Sequence, residues 1–450
     1  MAGSIICQTV NWPNGGRIGR KLTFASYSWA NKYAREYNMT ITRKINRMNI
    51  EFRDLHRQYE HIKDTIDSSV SSVITSARFI SGPEVKMLEQ ALADYVGVKH
   101  CISCGNGTDA ISIALMAHGV GNGDAIFAPD FTFFSSGECP ATAGATPIFV
   151  DVEQDTYNIS ASALEVAVER VLAEGMLLPR AVVAVDLFGQ PFDYDAIRAI
   201  CDRYGLLLLE DAAQGFGGSY TTSFPDETKK RMMACSLGDI STTSFFPAKP
   251  LGCYGDGGAI FTNDDHIASI CRSIAVHGKD MECLDDPNAK YNNVRLGMNS
   301  RLDTLQAAVL LAKLPVFRDE ELDAVNKVAK HYCESLKDVE GLSIPCVSDG
   351  MYSSWAQYTI QLPSAFLSWE PMERRIVQER LKEKGIPTNI YYLKPMHKQG
   401  AFEGTRSAIA NCPVTEELCE RVLCLPIHPY LEESEVEFVT TELKRALGKE

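Results

Sequence analysis

One lysine in this chain is set up to do covalent chemistry. It lies in Phe245-Phe246-Pro247-Ala248-Lys249-Pro250-Leu251-Gly252-Cys253-Tyr254-Gly255-Asp256-Gly257-Gly258. Pro247 and Pro250 fix φ and remove two N–H donors, so Lys249 falls outside any regular helix or central strand. The four glycines that follow let the backbone turn sharply or approach a ligand closely. Apolar, β-prone residues bracket the loop, Ile240 to Phe246 before it and Ala259 to Thr262 after it. The amine is therefore expected at a strand end, where open α/β sheets bind ligands. A surface lysine in a tight turn is the plain alternative, and the other polar residues decide between the two.

Those residues fall into five groups. Asn106-Gly107-Thr108-Asp109 follows an apolar run and opens a helix; its free N–H groups, Gly107 and the Thr108 hydroxyl would make a phosphate cup, unless Thr108 only caps the helix. Phe133, in Thr132-Phe133-Phe134, could stack on a flat ring or simply fill the core. Asp211, in Glu210-Asp211-Ala212-Ala213-Gln214, follows the buried run Leu206–Leu209. A carboxylate there is costly unless it meets a cation. It would suit a protonated ring nitrogen, whose pKa a neighbouring anion raises, or else a helix N-cap. Ser244 could donate to a phosphate, and Asn299-Ser300-Arg301 offers a fork of donors for an anion or a salt bridge into the next helix. Taken together these parts describe a pyridoxal phosphate site. Lys249 forms the Schiff base, Asp211 holds the pyridinium, and Gly107, Thr108 and Ser244 hold the phosphate.

The elements that must position them can be read from periodicity. Short apolar runs at 100–103, 125–128, 148–151, 181–185, 206–209, 240–245 and 259–262 alternate with helical patterns such as 109–118, 162–172 and 195–204. This predicts an α/β fold with a mainly parallel seven-stranded sheet between helices. Ahead of it, Leu55, Tyr59, Ile62, Ile66 and Val73 share a helix face, and Pro83 opens a second helix that Gly97 closes. Thr221 to Met232 reads as a polar surface excursion. A charged helix is expected near 318–337, then a strand at Gln357–Leu362 and a helix at Pro371–Lys384. The resulting division is a basic N-terminal extension at 1–47, a large domain at 48–312 and a smaller α+β domain at 313–450. Gly119-Val120-Gly121-Asn122-Gly123 imitates a dinucleotide fingerprint but follows a helix and precedes a strand, the wrong order.

Composition narrows the class. At 450 residues the chain exceeds one ordinary domain, and its net charge of −14 argues against general nucleic-acid binding. No window reaches the apolar length of a membrane span, and a cytoplasmic enzyme is expected. The 14 cysteines are scattered singly, as buried reduced thiols would be. Cys101-Ile102-Ser103-Cys104 lies in a strand-like run, where core packing outweighs a zinc or redox reading, and no metal is expected. Residues 1–47 carry eight Lys or Arg and one acid, Glu36.

From about Met48 to the C-terminus the sequence resembles the DegT/StrS-like nucleotide-sugar aminotransferases, which are fold-type I pyridoxal phosphate enzymes. The resemblance rests on Gly82-Pro83-Glu84, Asn106–Ala110, Glu210–Gln214, Ser244–Lys249, Gly255–Gly258, Asn299–Asp303 and Leu425–Tyr430 in that order. It implies that Lys249 carries the cofactor, Asp211 pairs with the ring nitrogen, Gln214 contacts the ring hydroxyl and Phe133 stacks on the ring. It also implies that Asn299 reaches the phosphate in a neighbouring subunit, making a homodimer the minimal active unit. Arg301 and Tyr391 are expected at the substrate. Within the family, Lys249–Asp265 and Ala356–Thr359 most resemble enzymes that aminate UDP-2-acetamido-2-deoxy-3-oxo-glucuronate, with L-glutamate as donor. Where such relatives place His-Tyr-Pro, this chain has Tyr391-Tyr392-Leu393. The expectation is transfer of an amino group to a UDP- or dTDP-linked keto-sugar for amino-sugar and surface polysaccharide biosynthesis. The alternatives are a 4-keto-6-deoxy acceptor and a non-catalytic pyridoxal-phosphate-binding regulatory dimer. A 3-dehydratase on the same fold would replace the Schiff-base lysine, which is present here.

Overall fold

Seven of the twelve described strands build one sheet, and each arises from one of the seven apolar runs. In the computed structural model, which describes residues 50–223, 229–281, 292–363 and 372–449, the strands in chain order begin with β1 (His100–Cys104), β2 (Asp124–Pro129), β3 (Thr146–Val150), β4 (Leu178–Val185) and β5 (Leu207–Asp211). β6 (Ser219–Ser223), β7 (Lys229–Met233), β8 (Ile240–Ser244), β9 (Gly258–Thr262), β10 (Met351–Tyr352), β11 (Tyr358–Gln361) and β12 (Val422–Leu425) follow. The large sheet runs β1-β9-β8-β5-β4-β2-β3. From β8 to β3 every pairing is parallel, and only β9 is reversed, antiparallel to both β1 and β8. Strands covered on both faces read as near-continuous apolar blocks, which is why they were legible. Helices Gly107–Ala117, Ala161–Glu174 and Tyr194–Tyr204 fall where the periodicity puts them.

The helix Leu55–Ser76 buries Ile62, Ile66 and Val73, while Leu55 and Tyr59 stay half-buried. Pro83 stands at the first turn of Pro83–Val96, and Gly97 closes that helix at φ 83°. Three readings change. The polar stretch from Thr221 forms the hairpin β6–β7, joined by β10 into a three-stranded sheet; main-chain pairing holds it where no apolar alternation announces a strand. The charged helix is entered through a π turn, Phe317–Glu321, and runs as Leu322–Leu336. β12 was not anticipated, and it pairs antiparallel with β11.

A second core lies around that ribbon. Tyr332, Tyr358, Leu381, Leu423, Leu425 and Val439 are all fully buried there, and the Tyr332 and Tyr358 rings approach to 4.8 Å. Helix Thr304–Val316 spans the expected junction at 312/313. The N-terminal extension lies outside the described residues. Among the described residues no helix is long and apolar enough to cross a membrane.

Candidate active site

All strands of the large sheet except β9 point the same way, so their carboxyl ends share one rim. β9 runs back and brings its first residue to that rim: Gly258 stands opposite Cys104 of β1 and Ser244 of β8.

After β8 the chain turns, with Lys249 N–H donating to Phe246 O at 2.8 Å. Arg53 clamps the turn from outside, its Nη2 donating to Lys249 O at 2.9 Å and to Pro250 O at 3.2 Å. Burial is the main force lowering the Lys249 pKa; Asp211 opposes it and Arg53 adds to it. An amine so held loses its proton more readily than an exposed lysine and is the better nucleophile.

Asp211 ends β5 and is 7% exposed. Its Oδ1 accepts Ala213 N–H at 3.1 Å. Burial raises its pKa, against the Ala213 N–H, Lys249 and the Ser136 hydroxyl. Among the described residues it makes no ion pair within 4 Å, so a buried carboxyl here gains from a cation brought close to it. Glu210 points to the other face, as the two-residue period of a strand requires. There it accepts Cys235 N–H at 2.7 Å, Leu237 N–H at 2.8 Å and the Ser241 hydroxyl at 2.6 Å, a structural tie.

The expected phosphate cup lies at the start of helix Gly107–Ala117. Its cap is Asn106, whose Oδ1 accepts Asp109 N–H at 2.8 Å. Thr108 is not the cap, and its hydroxyl pairs with Ser135 Oγ at 2.7 Å. Two glycines make the cradle possible by close approach. A Cβ on Gly107 would lie 2.7 Å from Ser244 Cβ, and one on Gly258 would lie 2.4 Å from Asn106 O. Neither residue, nor Gly252, Gly255 or Gly257, has positive φ; it is space rather than turning that the glycines supply here.

These groups surround a cavity of about 430 Å³, in the usual range for a ligand site. Gly107, Thr108, Phe133, Asp211, Gln214, Ser244, Lys249 and Tyr391 all line it. Phe133 is 55% exposed, its ring free to meet a ligand. Asn299 and Arg301 do not line it. Both are exposed, and Arg301 Nη2 donates to Asn299 Oδ1 at 2.6 Å. Between them buried Ser300 ties the loop to the back of the cup, accepting Gly105 N–H at 2.9 Å and donating to Asp109 Oδ2 at 2.6 Å. Sequence reasoning missed Asn106, Ser135, Phe246 and Gln357 as lining residues, and placed Tyr392 within the Tyr391–Leu393 segment at the sugar pocket rather than beside Gln214. Asn106 carried a signal, since asparagine is a strong cap three residues ahead of the N–H it bonds; the others depend on tertiary packing.

The Tyr391–Tyr392 wall hangs between two anchors. Asn389 exchanges backbone hydrogen bonds with Cys424, and at the other end His397 Nδ1 meets Asp130 Oδ2 at 2.6 Å. Asp130 Oδ1 also accepts His397 N–H at 2.8 Å. Cys412 sulfur completes a buried group whose ligand-type atoms lie within 4.8 Å of one another.

Pyridoxal phosphate fits this site. The cradle excludes a side chain at 107 and 258, the carboxylate makes no ion pair among the described residues, and the amine is held ready to lose its proton. The fold is that of a fold-type I aminotransferase. Residues 60–444 match the DegT/DnrJ/EryC1/StrS aminotransferase family, and the chain belongs to it. It is 44% identical over 396 residues to the UDP-2-acetamido-2-deoxy-3-oxo-D-glucuronate aminotransferase of Pseudomonas aeruginosa, covering 88% of this chain and 99% of that one. Among solved structures, a DegT DnrJ EryC1 StrS aminotransferase from Brucella abortus is 42% identical with a TM-score of 0.80, covering 88% of this chain and 99% of its own. S. venezuelae DesV, solved in complex with a ketimine intermediate, is 30% identical with a TM-score of 0.77, over 88% of this chain and 98% of its own.

Proposed function

We propose that this aminotransferase moves an amino group from L-glutamate to a nucleotide-linked keto-sugar, of the 3-keto UDP-N-acetylglucosaminuronate type, with pyridoxal phosphate bound at Lys249. The observation that carries the acceptor is the identity along nearly the full length to an enzyme named for that substrate. The bound cofactor supplies the electron sink. Asp211 keeps the ring nitrogen protonated by its negative charge, and the helix start at Gly107 and Thr108, with Ser244, holds the phosphate. Phe133 covers one face of the ring. Lys249 Nζ would take the proton from the donor's Cα as base and give it up as acid within the same half-reaction, to the cofactor carbon that then carries the amino group. In the second half-reaction it would run both transfers in reverse and leave a proton on the sugar carbon.

Asn299 and Arg301, outside their own chain's cavity, would serve the site of a second copy. Phe79 and Ile80 support such a covered face. They lie beside the Asn299–Asp303 loop through the Ile80–Asp303 bridge and are 45% and 49% exposed.

The test is to form the amino form of the enzyme with glutamate and offer it 3-keto and 4-keto sugar nucleotides. Return of the visible cofactor band with the 3-keto uronate alone supports the proposal. Return only with 4-keto-6-deoxy sugars overturns the acceptor, and no response to glutamate overturns turnover itself. Lys249→Ala should abolish the response.

A further inference from the structure

Donor and acceptor bookkeeping around Gln214 identifies one more group aimed into the cavity. Gln214 is 5% exposed. Its Oε1 is occupied by Phe188 N–H at 2.7 Å, presented by the Leu187–Gly189 turn in which Phe188 takes φ 60°. The amide nitrogen must then face the other way, and one of its N–H groups reaches Tyr392 Oη at 3.1 Å. The tyrosine oxygen is thus the acceptor, and its own proton has to point elsewhere. Among the described residues no acceptor meets that proton. Tyr392 and Gln214 both line the cavity beside Asp211, so an acceptor bound there is within the region that the hydroxyl proton and the second amide N–H are left to serve. Packing fixes the phenol ring: Phe131 meets it edge-on at 5.8 Å, and Tyr391 lies 5.8 Å away.

We propose that Tyr392 is a cofactor-binding residue, the second prong of a two-donor clamp with Gln214 for a negatively charged oxygen, the phenolate of pyridoxal phosphate. The proposal rests on the cofactor reading above. Two neutral donors on that oxygen favour its deprotonated form and lower the pH at which the bound chromophore changes colour. The charged and titratable groups that face Tyr392 are Asp211, Tyr391 and Cys424; Lys249 lies across the same cavity.

The experiment titrates the visible band of the holoenzyme against pH, for the native protein and Tyr392→Phe. Loss of one hydrogen bond to a charged oxygen should move the midpoint up by about one pH unit and weaken pyridoxal phosphate binding roughly tenfold. The melting temperature of the apo-protein should hold steady, since phenylalanine keeps the ring packing. 3-Deoxypyridoxal 5′-phosphate, which lacks the oxygen, should bind both proteins equally. An unmoved midpoint, or equal losses for both cofactors, overturns the role and leaves Tyr392 as packing. Should the native protein form no visible band, or carry the borohydride label away from Lys249, the cofactor reading falls first and the clamp with it.

Discussion

Asp211→Asn should separate two quantities that usually fall together, resting stability and catalysis. The carboxylate is 7% exposed, with one backbone N–H at 3.1 Å, and burial raises its pKa. Asparagine keeps the shape and can go on accepting that N–H. A carboxyl group whose folded pKa lies above its unfolded one binds more protons when folded. Stability is therefore lost as pH climbs from the ordinary carboxylate range through the folded value. Above that point the penalty is constant, about 1.4 kcal/mol for each pH unit separating the two values. Asparagine removes it, so apo D211N should melt no lower than the native apo-protein at pH 8, with a flatter profile of Tm against pH on the acid side. With cofactor bound the sign reverses. Taking one partner from a buried ion pair costs about 3–5 kcal/mol, or two to four orders of magnitude in rate. Melting curves of the apo-protein and single-turnover kinetics with glutamate, followed at the cofactor band, measure the two effects. An apo D211N that melts well below the native protein, yet turns over glutamate within tenfold of it, would refute the assignment.

Three further outcomes follow from the same geometry. Gly107→Ala puts a methyl 2.7 Å from Ser244 Cβ; relieving that overlap costs about 1–3 kcal/mol and pulls the helix start off its cradle, so pyridoxal phosphate affinity should fall at least tenfold by equilibrium dialysis. Arg53→Ala removes two hydrogen bonds from the Lys249 turn and a positive charge that lowers the Lys249 pKa. The pH at which borohydride trapping of the cofactor on Lys249 reaches half its maximal rate should therefore rise. Asp130→Asn tests the anchor on the far side. His397 is held above its ordinary pKa, chiefly by its hydrogen bond to Asp130, so that stabilisation is fully present below about pH 6.5 and fades as pH rises through the folded value. The Tm gap between D130N and the native protein should be larger at pH 6 than at pH 9.

The sheet was legible because a strand buried on both faces needs a solid apolar block, and seven such blocks stand between helical patterns. The hairpin β6–β7 was not, since Lys229, Lys230 and Arg231 are exposed in a ladder of backbone pairs, and the Arg231 side chain ties to Ser219 Oγ at 2.8 Å only once that ladder has formed. At the site, lysine between prolines and aspartate after a leucine run declare themselves by local chemistry. Tyr392 does not. Its neighbour Tyr391 offers the same side chain, and only tertiary packing decides which phenol oxygen meets Gln214. Thr108 was weighed as a cap because a hydroxyl near a helix start usually is one, yet Asn106, two residues earlier, already satisfies the Asp109 N–H. Asn299 and Arg301 lie outside the cavity of their own chain, so the packing of one chain gives their side chains no part in it.

The two moorings of the Tyr391–Tyr392 segment, at Asn389 and at His397, make it an exchangeable panel. Apart from Tyr392 and the buried Met396, the residues between these posts can change identity while the posts hold their path, and neither the lysine loop nor the aspartate belongs to them. A lineage could re-cut this wall for a new sugar without touching the parts that break bonds. Tyr-Tyr-Leu in place of His-Tyr-Pro, an edit that keeps the tyrosine at 392, is the kind such an architecture tolerates, and a loop library at 390, 391 and 393–395 is where acceptor preference can be bred.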